Sequence, residues 1–270
     1  MDPLDPAVVA MSPPSIAEIR SVGQPEAILH RPSAEHWSAQ LYMRRVSPYA
    51  TRAFLGARFS ADAVTALMIP VGIAAGVVLG ISGVAAALGA ALLVQLQVLL
   101  DCSDGEVARW RRTSSPRGTY LDQIAHYSTE AALAAGLGVR AAGGWDDVAG
   151  AWTSLGLLLA LLIVLLKSET HLVRVALVAA GRDDRSLGDG PAVAGAPRSR
   201  LRVRDGVRIL PGIRPFQAVE ASLLALAAAI VDAATGTLDG SRMLLAVLSA
   251  AALVATVGHF VAIVRSDRLG

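Results

Sequence analysis

The residues best suited to chemistry lie between Asp101 and His126. Asp101, Asp104, Gly105 and Ala108 are spaced i, i+3, i+4, i+7, so they share one face of a helix. Asp122 and His126, four apart, share a face of the following helix. A short basic connection, residues 110–117, joins the two helices and brings those faces together. The expected product is a cluster of three carboxylates and an imidazole. Carboxylates held that close repel one another unless cations hold them. Hard oxygen donors suit Mg²⁺ or Mn²⁺, which also bind phosphate oxygens. Gly105 and Ala108 lack bulk, so a ligand can approach the helix backbone there. Arg109 and Arg117 can clamp a pyrophosphate through forked, charge-assisted hydrogen bonds. These residues describe a metal-dependent site for a phosphate-bearing substrate at a lipid surface.

The elements that must position the cluster are apolar. The chain has 270 residues, 54% hydrophobic and only 17% charged. Charged residues make up about a quarter of an ordinary soluble domain. The shortfall argues against a soluble globule, and the hydrophobicity excludes a disordered chain. One cysteine, Cys102, excludes an internal disulfide framework. Six stretches have the length and apolarity of membrane helices, for which about 20 residues suffice. They are Ala61–Ile81, Val84–Leu100, Leu121–Val139, Val148–Leu166, Phe216–Ala234 and Met243–Val264. The third is the most polar, carrying Asp122, His126 and Glu130, but its polar residues fall on one side. The expected fold class is therefore all-α, a polytopic membrane protein with six transmembrane helices. Ionisable groups within a span are costly and are by default a functional-site hypothesis.

Arginines alternate between the gaps. Arg44, Arg45, Arg52 and Arg58 precede the first span; Arg109, Arg111, Arg112 and Arg117 lie between the second and third. A further basic run extends through Gly181–Arg214, and Arg265 and Arg268 close the chain. The positive-inside rule puts these segments, the cluster and both termini on the cytoplasmic side of the plasma membrane. The expected organisation is a polar N-terminal tail over 1–37 and an interfacial amphipathic helix over 38–58, bent at Pro48. A membrane catalytic domain follows over 59–270, with 181–214 as a basic cytoplasmic loop. Gly72, Gly76 and Gly80 form small-xxx-small steps that allow close helix approach. Trp145 and Trp152 fall at an expected membrane interface. Glu106 is expected to be solvated or interfacial. Glu130 is expected either to orient His126 or to make a plain interhelical hydrogen bond. Lys167, His171 and Glu220 are expected to snorkel, and His259 to pack or hydrogen-bond within the bundle.

The motif carries a resemblance. The pattern D-x2-D-G-x2-A-R-x8-G-x3-D-x3-D of the CDP-alcohol phosphotransferase (CDP-alcohol phosphatidyltransferase) family is matched at Asp101, Asp104, Gly105, Ala108, Arg109, Gly118 and Asp122. The segment Ser60–Thr65 is similar to the family's start of the first span, where Asn more often stands at the place of Asp62. The resemblance implies an acceptor hydroxyl attacking the β-phosphorus of a CDP-linked alcohol, with CMP leaving. It implies a CDP-linked lipid donor, CDP-diacylglycerol above all, and an alcohol or phosphorylated alcohol as acceptor. It also implies a two-metal site, membrane lipids as partners and a homodimer, with no nucleic-acid partner. By the resemblance Asp101, Asp104 and Asp122 are metal ligands. Gly105, Ala108, Arg109, Arg117 and Gly118 line the CDP pocket, and Thr65 faces the nucleotide. The family's fourth aspartate, usually the catalytic base, is His126 here. Three readings stay open. His126 is the base, since imidazole is a stronger base than carboxylate near neutral pH; or it is a metal ligand; or the chain is a catalytically inactive member that binds a CDP-lipid or partner.

Overall fold

A computed structural model describes residues 14–26, 37–181 and 214–266. The basic loop expected at 181–214 lies outside the described residues except for its two end positions, and so does Arg268. The structure is 86% helix, with no strand among the described residues. The helices are α1 (Ile16–Gly23), α2 (Arg44–Gly56, entered through a π-helical turn at Ala39–Met43), α3 (Ala61–Leu79), α4 (Val84–Arg111), α5 (Pro116–Ala142), α6 (Ala151–Ala179), α7 (Ala218–Thr235) and α8 (Asp239–Val264).

Five of these, α3, α4, α6, α7 and α8, are long and apolar enough to cross a membrane. They mark an integral membrane protein. Large apolar side chains on them stand exposed, among them Leu92, Leu157, Leu161 and Val254. In water such a surface would be an interaction or aggregation site, whereas against lipid tails it costs nothing. α5, expected as the third of six spans, is a helix of 27 residues but is not among the five. Its carboxylates, His126 and Arg140 dilute the apolar stretch.

The chain divides into two compact units. One comprises residues up to Gly72 and Leu93–His126; the other comprises Ile73–Leu92 and the residues from Tyr127 onward. In the first unit, α2 and the turn before it bind to α4. Ala39 and Met43 pack on Cys102, with Tyr42, Val98 and Leu99 against them. Val64, Met68, Leu100 and Ala125 form a second cluster joined by Phe54. Cys102 is thus a small apolar filler. α2 runs through Pro48, which is buried.

Residues 16–23, expected as part of a tail, form a helix. Ser15 and Glu18 make a reciprocal capping box, which satisfies two of the orphan amides at its start. Ile19 is fully buried and ties the helix to the unit. α4 does not stop at its apolar end but continues ten residues and more through the motif, closing at Arg112 in a left-handed conformation (φ 54°). α5 starts with Pro116 in its first turn, and the Ser115 Oγ accepts from the Gly118 amide at 2.9 Å. A serine cap followed by proline is a strong helix start.

In the second unit α8 packs along α6 and α7. α6 runs to Ala179, beyond the Leu166 expected as its end. Gly76 and Gly136 meet so closely that a Cβ on Gly76 would lie 2.3 Å from the Ala132 carbonyl oxygen. Gly138 faces Gly156 in the same manner. Gly76 is therefore spent on packing inside the chain, and this part of the glycine pattern does not argue for a second copy. Arg140 is buried at the end of α5. It donates to the Ile81 and Gly83 carbonyls at 3.1 and 3.0 Å and to Ser241 Oγ at 3.1 Å. Ser241 in turn donates to Asp232 at 2.5 Å.

Candidate active site

The site belongs to the first unit. It is built from the polar end of α4, the first turns of α5 and the start of α3. The 3.6-residue period carries Asp101, Asp104 and Gly105 onto one face of α4, and Asp122 and His126 onto one face of α5. The structure brings the two faces together. His126 Nε2 stands 3.3 Å from Asp122 Oδ1 and 3.5 Å from Asp101 Oδ1. One ligand atom each from Asp101, Asp122 and His126 all lie within 4.8 Å of one another. These side chains are 38%, 32% and 38% exposed, so the cluster is open to an incoming ligand. Two carboxylates and an imidazole converging on one point suit a divalent cation, with the carboxylates as hard donors.

Asp104 is turned to α3. Its Oδ2 accepts from Thr65 Oγ1 at 2.6 Å, and that hydroxyl also contacts the Ala61 carbonyl at 3.0 Å. Thr65, expected to face a nucleotide, therefore aims its hydroxyl at a motif carboxylate. Three residues earlier on the same face of α3, Asp62 completes a second group. It accepts from Ser115 Oγ at 3.3 Å and lies 3.7 Å from Arg117 Nε. A Cβ on Gly118 would sit 3.1 Å from Asp62 Oδ1. Gly118 thus gives the Asp62 carboxylate room at the first turn of α5. The i, i+3 spacing of Asp62 and Thr65 is the signal that would have found Asp62 in the sequence.

Three residues expected at the pocket have partners within the chain. The space above Gly105, expected to admit a ligand to the helix backbone, is occupied by Arg109. The Arg109 Nη1 lies 3.0 Å from where a Gly105 Cβ would be. Arg109 itself is tethered, its Nε donating to the Gly23 carbonyl at 2.6 Å. Ala108 is partly buried, and its carbonyl accepts the Thr113 amide at 2.9 Å to close α4.

Glu106, expected to be solvated, is completely buried. It accepts from Ser47 Oγ (2.5 Å), Thr51 Oγ1 (2.7 Å) and Gln24 Nε2 (2.8 Å), with Arg44 Nη1 at 3.8 Å. A buried carboxylate is tolerated only with such partners. The hydroxyls of Ser47 and Thr51, four apart on α2, were the available signal.

In the second unit Lys167 does not snorkel. Its Nζ pairs with buried Glu130 at 2.5 Å and lies 5.6 Å from the Tyr127 ring centre. Of the two roles open to Glu130, the structure shows an interhelical pair. His171 stacks edge-on to Tyr127 at 6.0 Å. His259 Nδ1 and Glu169 Oε2 are 2.8 Å apart, a bond within the bundle as expected. Trp145 Nε1 donates to the Val77 carbonyl at 3.1 Å, and Arg242 lies over the Trp152 ring.

Residues 58–184 match the family model described as CDP-alcohol phosphatidyltransferase. The matched segment contains the whole cluster, α3 to α6 and the hairpin between α4 and α5. No curated protein matches the chain. The family implies transfer of a phosphatidyl-type group from a CDP-alcohol to an acceptor alcohol in phospholipid synthesis, typically with a divalent metal.

Proposed function

We propose that this chain, whose residues 58–184 match the CDP-alcohol phosphatidyltransferase family model, uses the Asp101–His126 cluster to transfer a substituted phosphoryl group from a CDP-linked lipid to a second alcohol. The observation that carries the proposal is the convergence of Asp101, Asp122 and His126 to within 4.8 Å, beside an Asp104 held by Thr65. In the proposed reaction the acceptor hydroxyl oxygen bonds to the β-phosphorus. The bond from that phosphorus to the bridging oxygen breaks, and CMP leaves with the electron pair. His126 Nε2 takes the hydroxyl proton. Asp101, Asp104 and Asp122 would hold Mg²⁺ or Mn²⁺, which would neutralise the pyrophosphate and the charge developing on the oxygens. Thr65 keeps Asp104 in one rotamer. Arg117 and Arg109 offer forked donors to phosphate oxygens.

The proposed donor is CDP-diacylglycerol, and the acceptor an alcohol or phosphorylated alcohol. The proposed topology, which the Arg-rich segments support, has the cluster on the cytoplasmic face, residues 38–58 at the inner leaflet and α5 as a sixth crossing. The proposed assembly is a homodimer. It rests on the family resemblance.

A second role for His126, as metal ligand, is favoured by its Nε2 lying with the two carboxylates. The test is CMP release by the purified protein in lipid, with Mg²⁺ or Mn²⁺, CDP-diacylglycerol and a panel of acceptor alcohols. Metal-dependent release with one acceptor, lost in Asp104→Asn, is the expected result. A His126→Ala variant that still binds the metal but releases no CMP assigns the imidazole to the proton, whereas lost metal binding assigns it to the ion. Retained CDP-lipid binding with no release from any acceptor overturns the transferase reading in favour of an inactive, lipid-binding member.

A further inference from the structure

The end of α1 touches the motif helix at two places, and both contacts are directional. The Gly23 carbonyl accepts from Arg109 Nε at 2.6 Å. The Gln24 side-chain amide donates to Glu106 Oε1 at 2.8 Å and to the Arg44 carbonyl at 2.7 Å. Glu106 and Arg109 are three apart and so lie on one face of α4. Gly23 packs closely on Glu106: a Cβ there would stand 3.1 Å from Glu106 Cγ, tight enough that the glutamate side chain would have to give by a few tenths of an ångström. α1 is itself anchored by buried Ile19, by its capping box and by Arg20 Nη2 donating to the Arg45 carbonyl at 3.3 Å.

The consequence falls on Arg109. A free arginine carries about 2 kcal/mol of rotamer entropy, which a ligand must overcome to immobilise it. Here Nε is engaged by a backbone carbonyl. Because the guanidinium is planar, that one bond sets the direction of both terminal nitrogens. They lie over Gly105, with Nη1 and Nη2 at 3.0 and 3.2 Å from the position of a Cβ. The glycine supplies the space and the α1 carbonyl supplies the orientation.

We infer that Gly23 and Gln24 are positioning residues of the donor site, holding Arg109 and the Glu106 face of α4 so that the Arg109 fork is set over Gly105 before the donor arrives. The inference rests on the proposed function, in which Arg109 meets the donor's phosphates. Gln24 touches no substrate. Its amide fixes the end of α1, which fixes the Gly23 carbonyl, which fixes Arg109. An N-terminal segment outside the family-matched residues 58–184 is thereby part of the site.

The experiment is a double-mutant cycle on the full chain in lipid nanodiscs, titrating CDP in the presence of Mg²⁺ by calorimetry. The variants are Gln24→Ala, Arg109→Ala and the double variant, each with its thermal midpoint recorded. Loss of one hydrogen bond to a charged group corresponds to about a tenfold change in affinity. Gln24→Ala is expected to weaken CDP binding by about that factor. The double variant is expected to bind no more weakly than Arg109→Ala alone, because Gln24 acts through Arg109. Should Gln24→Ala fail to fold, Gln24→Asn, which keeps the amide one methylene shorter, is read in its place. Unchanged CDP affinity in the Gln24 variant, or losses that add in the double variant, overturn the inference and leave the proposed function standing. No CDP binding by the unmodified protein overturns both.

Discussion

Truncating Glu106 to alanine tests whether the buried carboxylate organises the first unit. The side chain is fully buried and accepts three hydrogen bonds, from Ser47, Thr51 and Gln24, with Arg44 at 3.8 Å. Hydrogen bonds to a charged group contribute roughly 1.5–3 kcal/mol each. Their simple sum is an upper bound, because desolvating the carboxylate opposes it and freed serine and threonine hydroxyls can turn to a backbone carbonyl one turn back. Removing one partner of a buried charged cluster typically costs about 3–5 kcal/mol, and that range is the expectation for Glu106→Ala. At roughly 2–4 °C per kcal/mol, the thermal midpoint falls by on the order of 10 °C. Glu106→Gln keeps the shape and one acceptor oxygen but turns an NH2 toward donors, so its loss is expected to be smaller. The assay is thermal unfolding of the purified protein in detergent at several scan rates, which separates equilibrium from kinetic loss. Ser47→Ala added to Glu106→Ala should cost nothing further. A Glu106→Ala midpoint within about 3 °C of the parent, which corresponds to only about 1 kcal/mol, would refute the reasoning.

Further consequences follow from other contacts. Thr65→Val keeps the shape of the side chain but removes the hydroxyl that donates to Asp104 at 2.6 Å. It should raise the metal concentration needed for half-maximal CMP release by about tenfold, read from a metal titration. Arg140→Leu strands the Ile81 and Gly83 carbonyls and leaves Asp232 with Ser241 alone, and should cost about 3–5 kcal/mol by the same unfolding assay. Gly76→Val would set a Cβ 2.3 Å from the backbone oxygen of Ala132, and should abolish accumulation of folded protein in membranes. Gly150→Ala, which meets nothing within 4 Å, should accumulate normally. The Ser15 hydroxyl bonded to Glu18 holds that carboxyl below the usual glutamate range. Its contribution to α1 is therefore complete above the ordinary glutamate pKa and is lost as pH falls through the lowered one. The protection of the α1 amides, corrected for the intrinsic exchange rate at each pH, should fall in acid, and Ser15→Ala, which leaves the residue-15 amide bonded to Glu18, should reduce that dependence.

Contiguous properties of the chain were legible without coordinates. Apolar length marked the five spanning helices, because crossing a bilayer demands only an unbroken run of apolar side chains. The motif spacing placed Asp101 and Asp104 on one helical face and Asp122 and His126 on another, because the 3.6-residue period is indifferent to what surrounds the helix. Ser115 and Pro116 open α5, a start signal that the expected beginning at Leu121 left unused. The choice of partner was not legible. Glu106 looked solvated because nothing near it in sequence neutralises it; Ser47 and Thr51 lie 59 and 55 residues away. Nothing near Arg109 in the sequence announces the carbonyl, 86 residues earlier, to which its Nε donates. Lys167 looked like a snorkelling cation until α6 and α5 set it against Glu130. The sequence by itself determined the long apolar helices and which side chains share a face, since these depend on neighbours along the chain; it missed α1 and counted α5 as a sixth span. Only the tertiary structure decided which carboxylate is exposed to a ligand and which is buried as an anchor. A long polar side chain takes the partner that packing brings within about 3 Å, and packing joins residues that sequence distance keeps apart.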